Sequence, residues 1–169
     1  MNKLISASNQ SSSILVGWRE WVSLPDMGLP AVKAKIDTGA RTSALHTFSL
    51  EIFREDNLDM VKMKIHPLQR RKDLYLTCVA PLKDERYVSD SGGHRELRPV
   101  IETDLEIAGQ RWTIEVTLSN RENMLFRMLL GRSAMVGRIQ VDPEASYLTG
   151  KKLAHAYRKH PELLTKEEV

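Results

Sequence analysis

The chain has 169 residues, 41% of them hydrophobic and 28% charged, which fits one globular domain and excludes collagenous, coiled-coil and wholly disordered classes. Its formal charge of +3 is well short of the dense Lys/Arg footprint of a dedicated nucleic-acid binder, so no nucleic-acid partner is expected. A single cysteine, Cys78, excludes an intrachain disulfide and any multi-cysteine metal site.

Residues 1–13, rich in Ser, Asn and Gln, read as a loose leader without the apolar core of a secretory signal. No run approaches the roughly 18 apolar residues of a membrane helix, so a cytoplasmic protein with no membrane partner is expected. From Ile14, two β-forming runs flank Leu24-Pro25-Asp26-Met27-Gly28, predicting a hairpin whose second strand runs into Asp37. Thr42–Ile52 predicts another strand, REDNLD a polar turn, and Met60–His66 a half-buried strand by its alternation of apolar and polar residues. After a basic turn at Pro67–Lys72, Leu74–Ala80 is again strand-like.

The breaks at Ser91-Gly92-Gly93 and Gly109-Gln110 divide the following stretch into two successive hairpins. Met128–Leu130 reads as a short buried strand before one helical turn. The domain proper is expected to span 14–150. Residues 151–169 are expected to be a charged, partly helical surface tail, with helix-forming composition from Lys151 to His160 and a stop at Pro161.

The stretch AKIDTGART, Ala34–Thr42, carries the chemistry. Taken alone, Asp37-Thr38-Gly39 has two readings. One is a turn in which Asp37 accepts backbone N–H groups and Gly39 supplies a positive φ; the other is a catalytic aspartate on a loop. The second element is Leu129-Leu130-Gly131-Arg132, near the end of the domain.

With both elements in place, the sequence resembles the retropepsin-like aspartic peptidases, the single-lobe relatives of pepsin. Their pattern is an apolar strand entering Asp-Thr/Ser-Gly-Ala, a flap hairpin with a glycine-rich tip, and an apolar-apolar-Gly-Arg strand followed by a short helix. The combination of EWVSLP, GLPAVKAKIDTGARTSALHT, RPVI, IEVTLSNR and LLGR is more closely similar to a bacterial family long labelled ATP-dependent zinc proteases, which has this fold and is associated with ATP-grasp ligases that add glutamate to proteins. The resemblance covers roughly Trp18 to Gly150.

The resemblance implies an all-β, single-lobe closed β-barrel with a short helix after the Gly-Arg motif. It implies catalytic roles for Asp37, Thr38 and Gly39, and substrate contacts from Ala40, Arg41, Gly92, Gly93 and Arg132. No metal and no cofactor are expected; the expected partners are a peptide or protein substrate and an ATP-grasp ligase. Two close carboxylates cannot both ionise easily, so they share a proton and together activate a water. Only one convincing Asp-Thr-Gly is present, so the dyad requires a twofold homodimer with one Asp37 from each subunit. Asp90-Ser91-Gly92 is read as part of a flap or turn, because Tyr87-Val88-Ser89 before it is not a buried apolar run.

Arg41 departs from the retroviral pattern, in which an acidic residue follows Asp-Thr-Gly-Ala and pairs with the arginine of Gly-Arg. Two readings stand: Glu96 or Glu102 supplies the missing carboxylate, or the surplus cation, joined by Arg95 and Arg98, accepts an acidic peptide. The five histidines, His46, His66, His94, His155 and His160, lack the His-Glu-x-x-His spacing of a zincin, and there is no phosphate loop for ATP. Cys78 is most simply a core residue, and Trp18, Trp21 and Trp112 are packing residues of the core or a dimer interface.

Overall fold

The computed structural model describes residues 13–89, 92–120 and 125–167. The expected leader, apart from Ser13, and the Asp90-Ser91 pair lie outside them. The strands β1 (Ile14–Val16), β2 (Arg19–Leu24), β3 (Leu29–Ile36), β4 (Ser43–His46), β5 (Ser49–Glu55) and β6 (Leu58–Ile65) come first. The long hairpin strands β7 (Leu74–Ser89) and β8 (Arg95–Ile107) follow, then β9 (Gln110–Ser119) and β10 (Met128–Leu130). After them come helix α1 (Arg132–Met135), β11 (Ile139–Val141), helix α2 (Ala156–Lys159) and β12 (Thr165–Lys166).

Alternation sets the buried faces. In the second half of β3, Val32, Ala34 and Ile36 are buried while Lys33 is half-buried and Lys35 exposed, and in β6 Val61, Met63 and Ile65 are buried while Lys62 is exposed. Two hairpin turns place consecutive residues in the left-handed region, Asp56-Asn57 at φ 50° and 64° and Ala108-Gly109 at 52° and 74°. This is the twist that two-residue connections require. The second turn falls one residue before the expected Gly109-Gln110, and β9 begins at Gln110.

The main sheet follows the order β2-β3-β10-β4-β9-β8-β7-β6-β5. A pairing of Ser23 with Glu106 joins β2 back to β8, so six strands form a sheet ring. The expectation of an all-β fold is met as a mostly β chain with this ring; the ring is joined at that one position. Leu24, Leu29, Leu45, Ile101, Leu105, Leu118, Met128 and Leu130 are fully buried in its core, each contributing roughly 1.5–3 kcal/mol by leaving water. Beyond the ring, β5 and β6 extend the sheet along the first half of β7.

Two expectations are corrected. Thr42–Ile52 is not one strand: it divides into β4 and β5, because Thr47 N–H bonds back to the Ser119 carbonyl (2.8 Å) and Phe48 N–H to the Lys64 carbonyl (3.0 Å), turning the chain from one partner to another. The C-terminal tail is not a surface appendage. Tyr157 is buried against the core and its hydroxyl donates to the Ala31 carbonyl, while β12 pairs with β7 at Tyr75 and Leu74. Cys78 lies in the same core, and burial pushes its thiol up to about 11.

Candidate active site

The Asp37 loop is held by the strand that follows it in space rather than in sequence. β3 and β10 run parallel with Ile36 opposite Leu130, and the Asp37 N–H continues the ladder to the Leu130 carbonyl at 2.9 Å. Two residues later the chain turns back on the carboxylate: Oδ1 of Asp37 accepts the N–H of Gly39 at 3.0 Å and of Ala40 at 3.1 Å. Gly39 is not among the residues with positive φ. It serves instead by close approach, since a Cβ there would sit 3.3 Å from Oδ1.

The Leu-Leu-Gly-Arg segment straps this loop from below. A Cβ on Gly131 would meet the backbone of Thr42 at 2.5 Å and 2.7 Å and of Ser43 at 2.8 Å, so the two chains cross at a distance only glycine permits. Gly131 N–H bonds to Ser43 Oγ (3.0 Å), Arg132 N–H to the Ala40 carbonyl (2.8 Å) and Ser133 N–H to the Arg41 carbonyl (3.0 Å). The Arg132 side chain donates through Nη1 to the Thr38 carbonyl at 2.9 Å and the Gly39 carbonyl at 3.3 Å.

Above the loop stands the β7–β8 hairpin, and between them lies a cleft of about 1220 Å³. Asp37, Gly39, Ala40 and Arg41 line it, with Ala44, Thr117 and Leu129 on the floor. Thr38 and Arg132 do not line it. Gly92 and Gly93 are exposed at the hairpin tip, Gly93 with a φ of 82°, and do not line it either.

Neither glutamate proposed to neutralise Arg41 or Arg132 does so. Glu96 pairs with Arg98 at 3.2 Å and Glu102 with Lys83 at 3.0 Å. Arg41 is exposed and makes no ion pair among the described residues, and Arg132 bonds to carbonyl oxygens. Arg95 lies over the Tyr87 ring, 5.1 Å from its centre. Arg98, almost fully buried, lines the cleft together with Lys83 and Arg86.

Several groups shaping the site were missed by sequence reasoning. Glu115 in β9 binds Arg86 at 2.6 Å and Lys83 at 2.9 Å; hydrogen bonds from Arg86, then Lys83, hold its carboxyl at about 2. Arg86 is also paired with Asp84 at 2.9 Å, which lies below the ordinary aspartate value for that reason first. Glu20 is fully buried and accepts the N–H groups of Gly17 (2.8 Å), Leu148 (2.9 Å) and Thr149 (3.0 Å) and the Thr149 hydroxyl (2.8 Å). This clasp ties the segment after β11 to the start of β2. Among the described residues, no three His, Cys, Asp or Glu side chains are grouped for a metal ion.

A β ring carrying an aspartate loop, a Gly-Arg strap beneath it and a long hairpin above is the architecture of a single-lobe acid-protease domain. The family described as RimB-like, retropepsin-like aspartic endopeptidase RimB, matches residues 15–152, and the chain belongs to it. It is also 45% identical over 137 residues to a protein of Parasynechococcus marenigrum named "Probable alpha-L-glutamate ligase", and 40% identical over 149 residues to one of the same name from Desulfotalea psychrophila. These alignments take in 81% and 86% of this chain but only 29% and 32% of those proteins, so the chain spans under a third of the length of either relative. A crystal structure of a Legionella pneumophila protein described as of unknown function superposes with a TM-score of 0.67 at 25% identity, over 82% of this chain and 99% of that one.

Proposed function

We propose that this protein is an aspartic-type peptidase in which Asp37 residues from two copies of the chain meet and activate a water. The observation that carries the reading is the placement of the Asp37 carboxylate, braced by two amides at the edge of a cleft large enough for an extended peptide and overhung by a hairpin. When two such carboxylates share a site they share a proton and titrate as a pair. One takes a proton from the water as it attacks the peptide carbonyl, and the other protonates the carbonyl oxygen. Thr38, exposed at the loop tip, faces the partner loop in this arrangement.

The proposed substrate is an acidic or glutamate-bearing protein tail. Its support is Arg41, a cation in the cleft wall beside Asp37 with no carboxylate of the described residues upon it, which suits bidentate recognition of a side-chain carboxylate. A working partnership with an ATP-grasp ligase belongs to the same proposal, and the relatives named as glutamate ligases support it. Those same names favour a second reading, a catalytically silent peptide-binding domain that serves such a ligase.

The deciding experiment compares the native chain with Asp37→Asn on acidic and neutral peptides across pH, with and without a chelator. Cleavage that disappears in the variant and ignores the chelator is the expected result. Cleavage surviving in the variant overturns the dyad, and binding without any cleavage favours the silent domain. Solution mass adds a second check, since a strict monomer cannot assemble two Asp37 residues.

A further inference from the structure

A β-bulge lies at the root of the hairpin. Leu82 faces Ile101 and Asp84 faces Val100, leaving Lys83 as the extra residue. Bulges of this kind re-aim side chains beside active sites. Here Lys83 joins Arg86, two positions beyond Asp84, in lining the cleft, and both reach Glu115.

Glu115 does not lie on a neighbouring strand. The sheet order is β9-β8-β7, so the two cations extend across β8, over a gap of two strand spacings or about 10 Å. At the far side they grip one carboxylate from two directions, Arg86 through both terminal nitrogens at 2.6 Å and 3.4 Å and Lys83 at 2.9 Å. All three side chains remain between 31% and 40% exposed. Ion pairs this open to solvent add little to stability, so exchanging one carboxylate for another costs little.

We propose that Lys83 and Arg86 form a carboxylate-binding subsite of the cleft, and that Glu115 occupies it and thereby sets how strongly the cleft accepts an acidic substrate side chain there. The local charge explains why this control falls to Glu115. Asp84, Glu102 and Glu115 set three carboxylates against two cations, so the filled subsite offers an incoming carboxylate no net attraction. Removing the Glu115 charge balances the cluster and opens the fork. β9 lies two strand spacings from β10, whose Leu130 carbonyl accepts the Asp37 N–H. The side chain affected is therefore about three residues along an extended peptide from the one met by Asp37. The inference deepens the peptidase reading and rests on it for the direction of the bound chain.

The test uses the full-length chain and fluorescein-labelled decapeptides, each carrying one glutamate stepped along the sequence, beside counterparts with glutamine. Binding is read by anisotropy in the Asp37→Asn background and cleavage in the Asp37 protein. Glu115→Gln is expected to raise the glutamate-over-glutamine preference about tenfold at one peptide position, and adding Arg86→Gln is expected to erase the gain. If Glu115→Gln does not fold, Glu115→Ala poses the same question. A preference that is unchanged, or a gain spread equally over glutamate and glutamine peptides, overturns the subsite while leaving peptide cleavage standing. A position-specific gain in binding without any cleavage supports the subsite and overturns the peptidase reading instead.

Discussion

Arg132 and Thr38 are joined by a side-chain-to-backbone bond of 2.9 Å, so the arginine of the Gly-Arg motif steadies the aspartate loop through its carbonyls rather than through a carboxylate. This arrangement accommodates a second arginine at position 41, which has no ion pair among the described residues. Arg132→Ala is expected to lower stability by about 1 kcal/mol, the scale of an exposed charge-assisted hydrogen bond, and to lower kcat more than it raises KM. Urea unfolding and steady-state kinetics measure the two effects separately.

Gly131 and Gly93 are expected to respond to alanine in different ways. At Gly131 the added methyl meets backbone on Thr42 and Ser43, so Gly131→Ala should cost about 3 kcal/mol by forcing β10 from β4. At Gly93 nothing lies within 4 Å, and only the φ of 82° opposes the change, for a cost of about 1 kcal/mol. Chemical denaturation of the two variants should rank them in that order; equal losses contradict the crossing described beneath the loop.

Glu20→Gln replaces an acceptor facing three backbone N–H groups with an amide that can satisfy only part of them. A loss of about 3 kcal/mol is expected, because donors remain buried without a partner. Faster hydrogen exchange at Leu148 and Thr149, with little change in β6, locates the effect at the clasp.

The pH dependence of stability carries the signature of Glu115. Its folded value of about 2 lies below the unattached value of 4.5, so its stabilisation is complete above about pH 5 and is lost as pH falls toward 2. Glu115→Gln should therefore flatten the acid limb of the stability profile while leaving the profile above pH 6 nearly parallel to that of the native chain. An acid limb of unchanged slope contradicts the pairing with Arg86 and Lys83.

The two motifs that define the site were legible because each is local. Alternation carries β3 into Asp37, and two leucines announce β10 before Gly131. What joins them was not legible. The parallel pairings of β3 with β10 and of β4 with β9 link residues far apart in the chain, and no periodicity encodes such a partnership. The same holds for Glu20, whose bonds cross 128 and 129 positions, and for Tyr157, an aromatic residue in a stretch whose charge density reads as solvated. Arg132 was assigned to substrate because its residue type was visible and its direction was not.

The single pairing of Ser23 with Glu106 gives the ring a clasp, as on a bracelet. Every other joint in it carries at least two paired positions. A closed loop with one slender link opens there first, because local opening follows the fewest cooperative bonds. Such an opening parts β2 from β8 while sparing the crossing of Gly131 with Thr42, and the chain can breathe at its clasp without losing its aspartate.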